Sequence, residues 1–267
     1  MRIALVSDIH GNLPALEAVI AEIADAGADL VVNLGDIVSG PLWPQETARR
    51  LMALGWPTIA GNHERQLLTQ AADRMGASDA FAAAALGAAE RAWLAALPAT
   101  LTLPLPARGQ LVCVHGTPAS DLQYLLETTT PGLGVQGHTG IRAATAAELH
   151  ARLGPVRPPL LACGHSHVPR VVAQGGTLVV NPGSVGLQAY DDLHPPGSGR
   201  DSHWVENGSP LARWALLVHG PAGWRAELRH TPYDVEAAAR RAEANGRGDW
   251  ADALRTGRVG RTEADLP

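Results

Sequence analysis

Ile3-Ala4-Leu5-Val6-Ser7-Asp8-Ile9-His10-Gly11-Asn12-Leu13-Pro14 sets the fold class of this chain. The apolar run predicts a buried strand over residues 3–7. Asn12 is placed to cap a helix, and Leu13-Pro14 opens an amphipathic segment reaching about Gly27. Leu13, Leu16, Ile20 and Ile23 fall on one face of that helix, and Gly27 suits its stop. Leu30–Leu34 is the next apolar run and ends at Gly35-Asp36. Strand, helix and strand form a βαβ unit with a right-handed crossover. Parallel strands gather ligands in the crevice beyond their carboxyl ends. Asp8-Ile9-His10 and Gly35-Asp36 both fall there.

Further along lie Gly61-Asn62-His63-Glu64, His115-Gly116 and Gly164-His165-Ser166-His167. Four of the five polar clusters directly follow an apolar or β-branched run. Pro44–Leu54 reads as a helix and Pro57–Ala60 as a third strand entering the Gly61 cluster. Residues 64–97 are Ala-rich and helical in character, with Trp93 and Leu94 facing inward. Leu101–Leu105 and Gln110–Val114 flank a turn at Pro106-Ala107-Arg108-Gly109, so pairing turns antiparallel here. Helix Thr145–Leu153 precedes strand Leu160–Cys163, a hairpin of Val168–Ala173 with Thr177–Val180, and the turn Asn181-Pro182-Gly183-Ser184-Val185-Gly186. Two closing strands, Ala212–His219 and Trp224–His230, and a helix over Tyr233–Asn245 follow. The economical organisation is one domain over residues 1–267. Residues 116–145 form a lid-like excursion within it, and residues 190–210, rich in Pro, Gly, Ser and Asp, a surface loop.

The composition narrows the function classes. Hydrophobic residues make up 46%, which supports a packed core. The net charge is −5, and all 21 basic residues are Arg. That balance, with no basic run, argues against non-specific nucleic-acid binding. No stretch approaches the roughly 18–20 apolar residues of a membrane span. Two cysteines, Cys113 and Cys163, cannot build a secreted disulfide framework and read as small buried fillers, so the cytoplasm is the simplest location.

Asp8 and His10, two apart at a strand end, can converge on one metal. The carboxylate of Asp36 has two oxygens and can bridge two cations. Asn62 offers an amide oxygen, and His115, His165 and His167 offer imidazoles. Two divalent cations, two carboxylates and a bridging hydroxide leave a net charge of about +1, suited to an anionic phosphate ester. Such a pair, ~3.5–4 Å apart, holds the attacking hydroxide and clamps phosphate oxygens, so no Ser or Cys nucleophile is needed. His63, beside Asn62, is the natural acid for the leaving alkoxide. Mn²⁺ is the first expectation for the two metals, and Fe, Zn, Co or Ni fit the same donors.

The ordered set D-x-H, GD, GNH, H and GHxH resembles the calcineurin-like metallophosphoesterase superfamily over residues 1 to about 190. The closing Asn181–Gly186 turn is similar to its small bacterial phosphodiesterase branch. The resemblance implies an α/β fold, a four-layer αββα sandwich with two mixed sheets and the dinuclear site at the strand ends. It implies one metal on Asp8, His10, Asp36 and His167, and the other on Asp36, Asn62, His115 and His165. It gives His63 the role of contacting the scissile phosphate. The phosphoprotein phosphatases of the superfamily carry GDxxDRG, whereas this chain has Gly35-Asp36-Ile37-Val38-Ser39-Gly40-Pro41. The second Asp and the Arg are missing, so a small phosphodiester or phosphomonoester, nucleotides included, is the expected substrate. Arg65 is expected on a solvated helix face, not on phosphate.

Rival chemistries fit less well. The residues around Ser166 lack the last Gly of G-x-S-x-G, and a chain without Lys has no P-loop. The alternative from another class is a non-catalytic scaffold on the same fold, resembling the retromer subunit type. Intact metal motifs and His63 count against it. Outside the motifs, His138, His194 and His203 are expected to be solvated surface residues, and Tyr124 and Tyr190 either stack on a base or pack.

Overall fold

A computed structural model describes residues 1–105, 109–195 and 197–265. The chain begins with β1 (Arg2–Val6), α1 (Leu13–Asp25) and β2 (Leu30–Asn33). Asn12 caps α1 through Oδ1, which accepts from Ala15 N at 3.2 Å. α2 (Pro44–Leu54), α3 (Asn62–Thr69), α4 (Ala77–Ala85) and α5 (Ala88–Ala95) follow. The strand expected over Pro57–Ala60 is reduced to a single bridge between Thr58 and Asn33. Pro57 brings no N–H to a ladder and the segment runs at once into α3, so pairing cannot propagate.

Next come β3 (Thr100–Pro104), β4 (Gln110–Val114), β5 (Glu127–Thr129), β6 (Ile141–Ala143) and α6 (Ala146–Leu153). The turn residues Pro106, Ala107 and Arg108 lie outside the described residues. β7 (Leu160–Ala162), β8 (Arg170–Gln174), β9 (Thr177–Asn181), β10 (Ala189–Asp192) and β11 (His203–Glu206) lead to β12 (Ala212–Gly220), β13 (Gly223–Thr231), α7 (Val235–Ala244) and α8 (Gly248–Thr256).

Two main mixed sheets result, ordered β13-β12-β1-β2 and β3-β4-β7-β9-β8. β1 runs parallel to β2 and antiparallel to β12, while β4, β7 and β9 are mutually parallel. Strand alternation sets the layers. Ala4 and Val6 face α1 and its helical neighbours, with Leu16, Val19, Leu51 and Leu67 buried in that layer. Ile3 and Leu5 face the other way and pack between the sheets against Leu111, Cys113, Leu160 and Val180. Val114, Leu161 and Val179 occupy the outer face of the second sheet, under Leu149 and Leu153 of α6. The order helix, sheet, sheet, helix is the αββα sandwich. Each Cys is buried, one in each of the latter layers.

Residues 190–210 are only partly a loop. β10 and β11 pair antiparallel there, from Ala189↔Glu206 to Asp192↔His203. The Pro- and Gly-rich composition describes the tip between the strands, while the strands themselves are fixed by non-local contacts. Trp204 N donates to Thr139 O at 2.7 Å, tying this hairpin to the excursion, which contains the short ribbon β5–β6.

Candidate metal centre

Among the described residues, six non-glycine residues have left-handed backbone: Asp8, His10, Asp36, Gln136, His165 and His167. All but Gln136 are sequence-expected metal ligands. A left-handed L-residue costs roughly 1–2 kcal/mol, and such strain concentrates at functional sites. The strain follows from the local chain path. Each strand ends, the backbone doubles back, and the side chain turns toward the crevice. Asp8 N is held by Gly35 O at 2.9 Å and His10 N by Asp36 O at 3.1 Å, so the first two motif loops brace each other.

Two groups of ligand atoms form at the strand ends. Asp8, His10 and His167 make one; Asp36, His115 and His165 make the other, the atoms of each lying within 4.8 Å of one another. Asn62 joins the second group, its Oδ1 3.1 Å from His115 Nε2. Its Nδ2 donates to Gln66 one helical turn on, which fixes the amide orientation. Glu64 clamps the entry to this site. Its carboxylate accepts from Asp36 N at 2.9 Å, Ile37 N at 2.8 Å and Gly61 N at 2.8 Å. Only glycine fits at Gly61, because a Cβ there would collide with Asp36 Oδ1.

The imidazole tautomers follow from their partners. Nδ1 of His10 faces Ser39 O at 2.7 Å, that of His115 faces Leu34 O at 2.8 Å, and that of His167 faces Leu187 O at 2.8 Å. A carbonyl can only accept, so each Nδ1 carries a proton and each Nε2 is the ring atom turned toward the site. His10 Nε2 and His167 Nε2 lie 3.1 Å apart. His115 Nε2 lies 3.0 Å from Asp36 Oδ2 as well as beside Asn62 Oδ1. Buried acceptors converging in this way need a cation among them. The donor set therefore fits divalent metal.

The charge states agree with that fit. Burial pushes His10 down to about 4, aided by His167, and burial with neighbouring His115 pushes His165 to about 3, so both rings are neutral. Burial would raise Asp36, yet His115 and His63 hold it well below the usual carboxylate range. Burial likewise works against a charged His115, but Asp36 outweighs it and drives His115 up to about 10. A proton thus occupies in the metal-free protein the position for which a cation would compete.

Residues 1–194 match the calcineurin-like phosphoesterase superfamily domain. The chain belongs to this superfamily. It is 22% identical over 259 residues to the uncharacterized protein MJ0912 of Methanocaldococcus jannaschii, covering 93% of this chain and 94% of that protein. The structure is similar to a metallophosphoesterase from Sphaerobacter thermophilus, with a TM-score of 0.70, 23% identity and coverage of 96% of this chain and 99% of the other. It is also similar to the hypothetical protein PH1004 from Pyrococcus horikoshii OT3, with a TM-score of 0.72, 18% identity and coverage of 97% and 99%. At these identities the likeness is one of fold.

This phosphoesterase-family site opens into a cavity of about 670 Å³ lined by His10, Asp36, Asn62, His63, His165 and His167. His63 stands at the mouth with its side chain 30% exposed. Its Nδ1 lies 2.8 Å from Oδ1 of Asp79, a buried carboxylate in the first turn of α4. Loss of solvent works against a charged His63, but Asp36 and then Asp79 raise it to about 9. Asp79 was not legible in the sequence, since it sits in an Ala-rich segment without a motif; its only signal was a lone acid between Ala and Ser residues.

Further residues change their reading. His203 is not solvated: it is buried, and its Nε2 lies 2.9 Å from Tyr124 Oη, which in turn meets Tyr190 Oη at 2.6 Å. The side chain of His194 is 11% exposed, beside Asp192. His138 remains exposed. The two tyrosines pack on rings of the candidate ligands, Tyr124 on His165 and Tyr190 on His167, with centroids 4.8 and 4.7 Å apart. Arg65 forms a two-pronged pair with Asp121 at 2.6 and 2.9 Å and lies outside the cavity lining. Ser184 Oγ donates to Asp8 O at 2.7 Å, so the Asn181–Gly186 turn supports the first motif loop.

Proposed function

We propose that this chain is a dinuclear metal-dependent hydrolase of small phosphodiesters or phosphomonoesters, nucleotides among its candidate substrates. The observation that carries the reading is the convergence of ring nitrogens on a carboxylate: His10 Nε2 and His167 Nε2 lie 3.1 Å apart, with Asp8 Oδ1 3.4 Å from His167 Nε2. Asp8, His10, Asp36 and His167 would hold one divalent metal, and Asp36, Asn62, His115 and His165 the other. Metals so placed supply phosphate-charge neutralisation and an activated water.

The protein's own groups complete the chemistry. Asp79 accepts the Nδ1 proton of His63 and leaves Nε2 free to serve the substrate. The doubly protonated ring holds a proton for the departing alkoxide at neutral pH, in keeping with its raised pKa. Glu64 holds the backbone of Asp36 and Ile37, and Tyr124 and Tyr190 hold His165 and His167 from above. Mn²⁺ is the first metal to try. No helix among the described residues is long and apolar enough to cross a membrane.

The test is hydrolysis of bis-p-nitrophenyl phosphate and p-nitrophenyl phosphate by purified protein, with Mn²⁺, Fe²⁺, Zn²⁺, Co²⁺ or Ni²⁺ added after chelator treatment. Turnover that returns with metal supports the reading. Stoichiometric metal uptake with no turnover under any ion overturns it in favour of a scaffold.

A further inference from the structure

The family match ends at residue 194, yet the C-terminal helices reach the candidate metal centre. α7 and α8 close on the loop that follows Asp36. Asn245 Nδ2 donates to Pro41 O at 2.7 Å and Arg241 Nε to Leu42 O at 3.2 Å. Leu42 is fully buried in a cluster with Ala238, Ala242, Trp250 and Leu254. The Trp250 ring sits over Gly40, where a Cβ would collide with it, and its centroid lies 6.0 Å from that of His10. These contacts fix α8 against the site.

Arg247, at the head of α8, is buried, and its guanidinium is gripped within the C-terminal segment. Nε donates to Asp249 Oδ1 at 2.9 Å, and Nη2 to Asp249 Oδ2 at 2.6 Å and Glu263 Oε2 at 3.0 Å. A planar fork held on these edges leaves its remaining nitrogen one direction in which to point. That nitrogen, Nη1, donates to Ser78 Oγ at 3.0 Å. Among the described residues, this is the one side-chain hydrogen bond that Arg247 makes outside the C-terminal segment.

Ser78 lies in the first turn of α4, which has no side-chain cap of its own, because its N-cap is Gly76. The turn is held at Ser78 from two sides. Arg247 binds the hydroxyl, and Gly40 N donates to Ser78 O at 3.3 Å. The next residue is Asp79, whose Oδ1 lies 2.8 Å from His63 Nδ1. A continuous path therefore runs from α8 through Ser78 and Asp79 to the ring of His63. Arg247, Ser78 and His63 all line the one cavity.

We infer that Arg247 is a positioning residue for the proposed acid: by holding Ser78 it fixes the first turn of α4, and through Asp79 it aims His63 at the leaving group. The C-terminal helices thereby take part in the reaction without supplying a metal ligand or the acid. This rests on the phosphoesterase reading above, with His63 in that role.

A plain phenyl ester and its p-nitrophenyl counterpart separate the aiming of an acid from support of the fold. Nitrophenolate leaves readily as the anion, whereas phenolate gains more from a proton, so a misplaced acid slows the phenyl ester more. The esters are assayed as monoesters or diesters, whichever the wild-type protein turns over, at fixed free metal. Ser78→Ala removes only the hydroxyl that Arg247 holds. Its kcat on the phenyl ester should fall about five- to tenfold, the scale of one hydrogen bond, and on the nitrophenyl ester by about twofold. Metal content of the same samples should stay at the wild-type value. Adding Ser78→Ala to Asp79→Asn should cost nothing further, because Asp79 is the route by which Ser78 acts. Arg247→Ala should show the same split between the esters; if it does not fold, the Ser78 variants decide alone.

Equal losses on both esters, or loss of metal, would reduce the contact to support of the fold and overturn the inference. So would wild-type kcat on the phenyl ester in Ser78→Ala, or losses that add in the double variant. Each of these leaves the phosphoesterase reading standing. No turnover of either ester by the wild-type protein with any metal removes that reading, and this inference with it.

Discussion

His63 Nδ1 and Asp79 Oδ1 stand 2.8 Å apart, joining the first turn of α3 to the first turn of α4. The carboxylate can only accept, so it fixes which ring nitrogen keeps its proton and which faces the cavity. Ser39 occupies the place where phosphoprotein phosphatases carry their second Asp, and it lines the cavity without serving His63. The acid beside His63 arrives from another helix, α4.

Asp79→Asn should therefore lower kcat by about 10–100-fold, the usual cost of losing an orienting partner. KM and metal content should hold. His63→Ala removes the proposed acid and should cost about 10²–10⁴-fold in kcat with both metals retained. Steady-state kinetics beside metal analysis checks the pair. Wild-type turnover in His63→Ala would take that residue out of the chemistry, and normal kcat in Asp79→Asn would make the contact merely structural.

Asp36 is expected to serve both metals. It groups with His115 and His165, while His10, in the other group, has its backbone N bound to Asp36 O. Asp36→Asn should reduce bound metal at both positions together, read by elemental analysis after dialysis against limiting Mn²⁺. Loss of one equivalent with the second held at wild-type affinity would show that the carboxylate does not bridge.

Much of this was legible in the chain. Asp8, His10, Asp36, His115, His165 and His167 follow apolar runs, and strand ends in an α/β fold converge, so their meeting could be anticipated from spacing alone. Asn62 was legible as the amide of the Gly61-Asn62-His63-Glu64 cluster, although the strand expected to lead into it is only a bridge. What escaped notice depends on distant pairing. The β10–β11 hairpin hides in Pro- and Gly-rich composition because its partners are supplied by Gln188 and by Thr139 of the excursion. His203 is buried only because that hairpin folds back under Tyr124. The division into two sheets was likewise invisible to periodicity, since an antiparallel hairpin after parallel strands reads equally well as one mixed sheet.

Glu64 is a structural clamp, and its replacement should show that. Both carboxylate oxygens accept from backbone N–H groups, and the residue is fully buried. Glu64→Gln replaces one acceptor with an NH₂ that faces a donor. The cost should be about 1–3 kcal/mol, that of a buried unsatisfied group. Urea unfolding of the metal-free protein measures it. The same change should weaken metal binding, because Asp36 N loses its anchor. A variant as stable as wild type would mean that the loop finds other acceptors.

The left-handed backbone at the ligands yields a sharper test, because it separates strain from contact. His165 has φ 68°, and its N donates to both oxygens of Asp8 at 3.2 Å. Replacing it by Ala or by Gly removes the same imidazole and keeps the same N–H. The two variants differ only in the Cβ, which clashes with the backbone at positive φ. In chelator, His165→Gly should be more stable than His165→Ala by about 1 kcal/mol, since the left-handed cost disappears with the Cβ. Paired urea denaturation curves with equal m-values give the difference directly. If the Ala variant is as stable as the Gly variant, the metal-free loop relaxes out of the left-handed region. The strained conformation would then belong to the metal-loaded state, and metal binding would have to supply its energy.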